Sequence, residues 1–161
     1  MLEAAGPRPW IAVSWRAGVR AQMKRAPLDR IARTLRAVRG TIICVQRNPD
    51  RGELENFETE LGRSIVDATA TNGDLEAILA LMSVVDEHVA VSNTNLHLRA
   101  AVGQTTRVLV PFPAEWRWRE SIDGEMPWFR DHTAYRQTPD LGWETAFSEL
   151  ARDLAAADRL Q

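Results

Sequence analysis

Short apolar runs alternate with segments of helical periodicity along almost the whole chain, and this alternation constrains the fold more than any other feature. WIAVSW at residues 10–15 and TIICVQ at residues 41–46 are rich in β-branched or aromatic residues, which is typical of strands buried on both faces. Between them apolar residues recur every three or four positions, as on one face of an α-helix, at Leu28, Ile31, Leu35 and Val38. This helix is expected to enter through Pro27 and to end at Gly40. Strands separated by helices predict βαβ units and a parallel sheet.

The alternation continues to the end of the chain and predicts one domain. Further helices are predicted at residues 52–61, 74–85, 95–102 and 143–157, and further strands at residues 64–68, 88–92, 107–110 and 133–137. We therefore expect a doubly wound, Rossmann-like α/β domain with a parallel sheet of five or six strands flanked by helices. It covers residues 1–161, with a core at about residues 10–157. Ligands of such sheets bind at the carboxyl ends of the strands, so a site is expected in the loops that follow strands.

Length and composition agree with one domain and indicate where in the cell the protein is located. The chain has 161 residues, 45% of them hydrophobic, which is enough for one sizeable core. No run of about 18 apolar residues is present, so no membrane span is expected. The first ten residues lack the apolar stretch of a secretory signal, and Cys44 has no second cysteine for an internal disulfide. These features predict a cytoplasmic protein.

Basic residues are concentrated in the first third of the chain. Residues 8–51 contain eleven Arg or Lys and two Asp, whereas residues 52–161 contain nine basic and nineteen acidic residues. Such a cationic segment could attract nucleic acid, an anionic membrane surface or a small polyphosphate. It lacks the aromatic residues that RNA-binding segments interleave, and Arg30, Arg33 and Arg36 recur at the spacing of a solvated helix face. We therefore expect no nucleic acid partner.

The turn after the first predicted strand carries a small residue, a cation and a glycine. Ser14, Arg16 and Gly18 lie where backbone amides can approach a phosphate and an arginine can bind it with two hydrogen bonds. A turn with one glycine is also what an ordinary strand-to-helix connection needs. Lys24 follows just before the first predicted helix, whose N-terminus adds a partial positive charge. The alternative interpretation of Lys24 is a solvated surface charge.

Four small polar residues follow the fourth predicted strand, namely Ser92, Asn93, Thr94 and Asn95. Their side chains and the free amides of the next helix could donate hydrogen bonds to a phosphate, whereas capping that helix needs only one of them. His97 and Arg99 lie in the same helix. His97 is the candidate proton acceptor. The alternative is that His97 has only a structural role. Arg99 would strengthen the anion site if it were aligned with Arg16 and Arg107.

Aromatic residues and prolines dominate the loop after the fifth predicted strand. They occur in PFPAEWRW at residues 111–118 and in MPWF at residues 126–129. These side chains could form a wall against a base or sugar ring, or they could fill the space beneath a long loop. The sequence leaves both interpretations open.

In combination and in order, these segments resemble the C-terminal half of GT-B glycosyltransferases. The resemblance is in particular to bacterial glycosyltransferases that are often fused to tetratricopeptide repeats and are related to the heptosyltransferase and O-GlcNAc transferase groups. It extends from about residue 10 to residue 157. The segments that carry it are VSWRAG (13–18), MKRAP (23–27), VSNTNLHLRAAVG (91–103), RVLVPFPAEWRW (107–118), and PWF (127–129) with YRQ (135–137).

The resemblance implies a donor-binding domain that holds a nucleoside diphosphate-sugar across the carboxyl ends of the sheet. Lys24 stands where such enzymes place a lysine on the diphosphate, and residues 93–95 stand where they place a phosphate-binding turn. Relatives often carry an aspartate where Asn93 stands here. The resemblance covers one of two Rossmann-like halves, and the other half normally binds the acceptor and supplies a catalytic base. These 161 residues alone are therefore expected to be inactive in sugar transfer.

The leading hypothesis is a nucleotide-sugar-binding domain of an inverting, metal-independent glycosyltransferase. Lys24, Arg16 and the turn at residues 92–95 would offset the charge on the leaving diphosphate, and the sugar nucleotide would be a substrate, with no cofactor. No acidic pair is spaced for a divalent cation. A nicotinamide-dependent dehydrogenase is disfavoured because no GxGxxG follows the first strand. The alternative is a non-catalytic module that keeps the half fold and pairs with a separate N-terminal-type domain or with its own copies.

Overall fold

The computed structural model describes residues 5–17, 24–119 and 126–158, and within them a six-stranded, all-parallel sheet carries helices on both faces. The strands are β1 (Trp10–Ser14), β2 (Thr41–Cys44), β3 (Val66–Asp67), β4 (Glu87–Val91), β5 (Arg107–Val110) and β6 (Thr133–Arg136). The helices are α1 (Leu28–Leu35), α2 (Arg51–Leu61), α3 (Leu75–Val84), α4 (Thr94–Ala101) and α5 (Glu144–Asp158). The predicted doubly wound α/β architecture is confirmed, with six strands.

The strand order is β3-β2-β1-β4-β5-β6. From β1 the chain adds β2 and β3 on one side, and it then returns to add β4, β5 and β6 on the other side, so the strand order reverses at the boundary between β1 and β4. β1 pairs with β2 on one side, with Ala12 opposite Ile43, and with β4 on the other, with Ala12 opposite His88. Loops after β1 and β4 diverge to opposite faces at this point and leave a crevice between them. In this topology the crevice lies at the carboxyl ends of β1 and β4, where the sequence analysis predicted a site.

The sheet separates two layers of the hydrophobic core. Ile11 and Val13 of β1 pack toward the side chains of α1, α2 and α5, whereas Trp10 and Ala12 pack toward α3. This alternation follows from the two-residue period of a strand, and because both faces are covered the whole of β1 is buried. Leu96 of α4 packs against β5 in a third cluster. Among the described helices, none has both the length and the apolarity needed to cross a bilayer.

Caps determine where several elements begin. The carboxylate of Asp50 accepts a hydrogen bond from the Glu53 amide at 2.7 Å, and the Glu53 carboxylate accepts one from the Asp50 amide at 3.2 Å, so α2 begins with a capping box. Asn93 caps α4 through its Oδ1, which accepts from the Leu96 amide. Both helices consequently begin one residue before their predicted start.

Some predicted elements are shorter in the structure. β2 ends at Cys44 rather than at residue 46, and the Gln46 side chain beyond it bonds to the loop after β1. β3 has two residues instead of the predicted five and lies at the edge of the sheet. α1 ends at Leu35, earlier than predicted, and the chain then turns through Gly40, whose φ is +87°. A Cβ at Gly40 would lie 2.1 Å from the Pro9 carbonyl oxygen, so this entry into β2 requires glycine.

Candidate functional site

A cavity of about 360 Å³ lies at the carboxyl ends of β1 and β4, where the strand order reverses. It contains seven of the ten residues selected from the sequence, which are Arg16, Lys24, Ser92, Asn93, Thr94, Asn95 and His97. Of the other three, Ser14 is buried and accepts a hydrogen bond from Asn93, Arg99 lies away from the cavity, and Gly18 lies outside the described residues. The fold thus brings together segments that are far apart in the sequence.

The cavity also has lining residues that sequence reasoning missed. Arg47, in the loop after β2, is exposed, and Asn72 lies in a short 3-10 turn, Thr69–Gly73, after β3. Both follow the carboxyl ends of parallel strands, so the topology expected from the sequence was a signal that could have identified them. Arg47 thus adds an exposed cation to the lining that also contains the half-buried Lys24.

The backbone of the loop after β1 is bound by other protein groups. The Oε1 atom of buried Gln46 accepts hydrogen bonds from the amides of Trp15 at 2.9 Å and Arg16 at 3.0 Å. The Ala17 amide donates to the Lys24 carbonyl oxygen at 3.1 Å, which closes the loop as an antiparallel bridge. We expected amides of this loop to approach a phosphate. In the structure these three amides are already satisfied, and the loop instead presents side chains.

Arg16 is held by helix α2. Its guanidinium donates two hydrogen bonds to the Glu53 carboxylate, at 2.9 and 2.7 Å, and a third to the Asn48 carbonyl oxygen at 2.7 Å. The hydrogen bonds from Arg16 are the main cause that lowers the pKa of Glu53 to about 2. Arg16 therefore lines the cavity as one partner of a bidentate ion pair, with its charge already matched by a carboxylate.

The four polar residues after β4 have different tasks. Asn93 donates to the Ser14 hydroxyl oxygen at 2.8 Å, besides capping α4, so it ties β4 to β1. Asn95 is buried and donates to the Val45 carbonyl oxygen and to Asn72 Oδ1, both at 3.1 Å. Thr94 is exposed at the first residue of α4. Asn93 and Asn95 build the turn, while Thr94 lines the cavity.

Lys24 forms an ion pair with Glu115, which the sequence analysis did not select. Lys24 Nζ lies 2.8 Å from Glu115 Oε2, and the Ser92 hydroxyl donates to Oε1 of the same carboxylate. Arg117 Nη2 lies 3.2 Å from Glu115 Oε2. Burial raises the pKa of Glu115, but the hydrogen bonds from Lys24 and Ser92 outweigh it, so that the net pKa is lowered. The carboxylate is therefore ionised at neutral pH and binds the cation predicted to face a diphosphate.

His97 lies in the first turn of α4 and lines the cavity. Its ring is half-buried, with its centroid 5.3 Å from that of Phe129. Burial, followed by the positive charge of Arg117, lowers the pKa of His97, while Glu115 acts in the opposite direction. The imidazole is therefore neutral at pH 7, the form that can accept a proton. Within the described ranges, no group of three or more His, Cys, Asp or Glu side chains is arranged to hold a metal ion.

Arg99 does not contribute to the cavity, contrary to the prediction. Its guanidinium is buried and donates to the carbonyl oxygens of Met82 at 2.8 Å and Val85 at 3.1 Å, at the C-terminal end of α3. Further hydrogen bonds join it to the carbonyl oxygens of Asp86 and Thr105. Arg107 likewise binds the Glu87 carboxylate. The alignment with Arg16 that would have strengthened the anion site is not formed, because Arg99 binds carbonyl groups at the end of α3 and Arg107 pairs with Glu87.

Part of the aromatic cluster after β5 fills space beneath the loop, and part of it is exposed. Trp118 is buried and stacks on Phe129, with ring centroids 4.8 Å apart, so these two fill space beneath the loop. Trp116 and Trp128 are exposed and meet edge to face at 4.9 Å. A second cavity, of about 250 Å³, lies under this loop and shares Lys24 and Ser92 with the first.

Comparisons with known proteins give matches among solved structures. No protein-family model matches the sequence, and no curated protein matches it significantly. The glycosyl transferase family 9 structure from Veillonella parvula DSM 2008 superposes with a TM-score of 0.61 at 14% identity, over 93% of this chain and 46% of that one. E. coli heptosyltransferase WaaC with ADP-2-deoxy-2-fluoro heptose gives a TM-score of 0.59 at 16% identity, over 94% of this chain and 44% of that one. WaaC with ADP gives a TM-score of 0.57 at 15% identity, over 92% of this chain and 44% of that one.

These structural matches show a shared fold, and they cover only part of each neighbour's chain. The chain spans less than half of each glycosyltransferase that it matches. The identities of 14–16% establish a shared architecture, which is the six-stranded parallel sheet with helices on both faces. The resemblance drawn from the sequence is thereby confirmed at the level of the fold. The chain has the glycosyltransferase-like α/β fold of one half of a GT-B structure.

Proposed function

We propose that this domain binds the nucleoside diphosphate portion of a sugar nucleotide in the cavity at the carboxyl ends of β1 and β4. The observation that carries the proposal is the meeting of Lys24, the exposed Thr94 and the N-terminus of α4 at the point where the strand order reverses. WaaC, one of the structural neighbours, has been solved with ADP and with an ADP-sugar analogue, which supports this choice of ligand class.

The chemistry of the cavity suits a diphosphate. Lys24 and Arg47 supply positive charge, and the Thr94 hydroxyl supplies a neutral donor. The first backbone amides of an α-helix have no acceptors within the helix, and the aligned peptide dipoles add a partial positive charge there. The first turn of α4 would therefore bind phosphate oxygens together with Lys24. Arg16, bound to Glu53, would position the loop and contribute less charge to the ligand.

In a glycosyltransferase this arrangement would act on the leaving group. When an acceptor hydroxyl attacks the anomeric carbon with inversion, the bond to the diphosphate breaks and negative charge grows on its oxygen. Lys24 and the α4 amides would offset that charge without a metal ion. The attacking hydroxyl must lose its proton, and the neutral imidazole of His97 is the candidate acceptor. The acceptor site would belong to a second domain, since the chain spans less than half of its structural neighbours.

Calorimetric titration with ADP and UDP tests the proposal through Lys24. The Lys24→Ala variant should bind the nucleoside diphosphate more weakly by roughly 1.5 to 3 kcal/mol, the usual range for a charge-assisted hydrogen bond. Thr94→Ala should cost about 1 kcal/mol or less, because a neutral hydroxyl contributes less and the backbone amides survive the substitution.

Arg33→Ala is the matched control. The Arg33 side chain is 55% exposed on α1 and pairs with Glu60 there, so its removal should change the affinity by well under about 1 kcal/mol. If Lys24→Ala behaves like this control, the diphosphate is not bound at Lys24.

A non-catalytic interaction module is the second candidate function. The exposed pair Trp116 and Trp128 favours it, because large exposed aromatic side chains are typical of surfaces that bind another chain. The same titrations separate the two functions. Failure of the unaltered chain to bind either nucleotide at millimolar concentration would favour the interaction module.

A further inference from the structure

We propose that the Glu115 carboxylate takes the place of a ligand phosphate at Lys24 and Ser92, and that an incoming diphosphate displaces it onto Arg117. Glu115 would then set the affinity of the cavity for anions. This inference rests on the proposed function and assigns a role to a residue of the loop after β5.

The bonds made by Glu115 are those that a phosphate would make. One carboxylate oxygen accepts from the Ser92 hydroxyl, and the other lies 2.8 Å from Lys24 Nζ. A phosphate group has the same charge sign and the same acceptor oxygens, so it would use both donors equally well. Glu115 and a phosphate consequently compete for one pair of donors.

Arg117 gives the displaced carboxylate a second partner. Its Nη2 atom already lies 3.3 and 3.2 Å from the two oxygens of Glu115. Release from Lys24 would therefore leave the Glu115 charge paired with a guanidinium, which removes most of the cost of an unpaired, partly buried charge. The side chains of Glu115 and Arg117 are 23% and 27% exposed, so both have contact with water.

The two cavities provide the space for this exchange. Lys24 and Ser92 line both, while Thr94 and His97 line only the first and Glu115 lines only the second. Glu115 thus reaches the two donors from the second cavity, whereas Thr94 and His97 border the same donors from the first. The second cavity, of about 250 Å³, leaves space beside the carboxylate, so that it can shift from Lys24 and Ser92 while it stays beside Arg117.

A different role for Glu115 makes the opposite prediction. If the carboxylate stayed in place and held Lys24 toward the ligand, removing its charge would loosen Lys24 and weaken binding. If the carboxylate is displaced, removing its charge eliminates the competition and strengthens binding. The sign of the change in affinity therefore decides between positioning and competition.

Calorimetric titration of ADP and of inorganic pyrophosphate into the Glu115→Gln variant measures that sign. Glutamine keeps the shape and an acceptor oxygen but loses the charge. We expect about three- to tenfold tighter binding of both anions, because the ligand no longer has to break the partly exposed ion pair between Lys24 and Glu115. Thermal unfolding of the variant checks that it is folded.

Arg117 is tested in a double-mutant cycle. Arg117→Gln in the unaltered chain should weaken ADP binding about threefold, because the displaced carboxylate loses its partner. In the Glu115→Gln background the same substitution should change the affinity less than twofold. An equal loss in both backgrounds would show that Arg117 contacts the ligand itself and would overturn its proposed role.

The outcomes also separate this inference from the proposed function. Binding by the unaltered chain together with unchanged or weaker binding by Glu115→Gln overturns the competition and leaves the diphosphate site standing. Absence of binding by both proteins overturns both. Binding by Glu115→Gln alone, or tighter binding by it, supports the competition.

Discussion

Glu53 is the residue that joins the loop after β1 to helix α2. Its carboxylate accepts from Arg16 and from the Trp15 indole at 3.2 Å, and it also completes the capping box of α2. Its side chain is only 13% exposed, so solvent screens these bonds weakly. One carboxylate thus stabilises the helix and fixes the position of an arginine that lines the cavity.

Glu53 should make stability depend on pH in the acid range. Its pKa is lowered from 4.5 to about 2, chiefly by the Arg16 hydrogen bonds. A lowered pKa in the folded state means that the ionised carboxylate stabilises the fold above pH 4.5, and that this contribution is lost as the pH falls from 4.5 through about 2. Urea unfolding should show Glu53→Gln less stable by roughly 2 kcal/mol at pH 7, with the difference shrinking toward zero at low pH.

The exposed pair of Arg51 and Glu55 supplies the control for this prediction. Its side chains are 92% and 63% exposed, so Glu55→Gln should change the free energy of unfolding by less than about 0.5 kcal/mol. A Glu53→Gln difference that stays constant between pH 7 and pH 3 would show that its carboxylate is not stabilised by Arg16.

Among the elements, β1 and β2 are joined at their carboxyl ends by Gln46. Besides accepting from two amides of the loop after β1, its Nε2 donates to the carbonyl oxygens of Arg16 at 3.2 Å and Arg47 at 3.1 Å. Two backbone amides and two backbone carbonyl groups that strand pairing leaves without partners are thus satisfied by one buried side-chain amide. Gln46 therefore fixes the start of the loop after β1, at Trp15 and Arg16.

Gln46→Ala should therefore destabilise the fold by roughly 2 to 4 kcal/mol, because it leaves buried amides unsatisfied and creates a cavity. Asp74→Ala is the comparison, since it removes an exposed N-cap of α3 and should cost about 1 kcal/mol. Guanidinium unfolding of the two variants measures both costs. Equal costs would mean that the loop after β1 does not depend on Gln46.

The type and order of the elements could be predicted because periodicity is a local property of the sequence. The direction of a helical side chain relative to its neighbours is not local, which is why Arg99 was assigned to the cavity although it binds carbonyl groups at the end of α3. Glu115 was missed for a related reason. Its partner Lys24 lies in the first third of the chain, and only the folded sheet brings the two together.

On the scale of the whole molecule, the cationic first third is largely matched by carboxylates of the remainder. Among the described residues, at least six of its cations pair with acidic residues that follow Gly52. These pairs are Arg8 with Asp86, Arg16 with Glu53, Lys24 with Glu115, Arg30 with Glu144, Arg33 with Glu60 and Arg51 with Glu55. The charge asymmetry of the sequence therefore contributes to tertiary structure, and less of it is available as a general polyanion surface.

A crystal structure of the chain with bound ADP or UDP tests the central claim most directly. The account predicts electron density for the diphosphate within hydrogen-bond distance of Lys24 Nζ and the Thr94 hydroxyl, at the N-terminus of α4, with Glu115 turned toward Arg117. Density for the diphosphate at another surface of the domain would contradict the proposed site. A diphosphate in the cavity that leaves the Lys24–Glu115 ion pair intact would contradict the competition between Glu115 and the ligand.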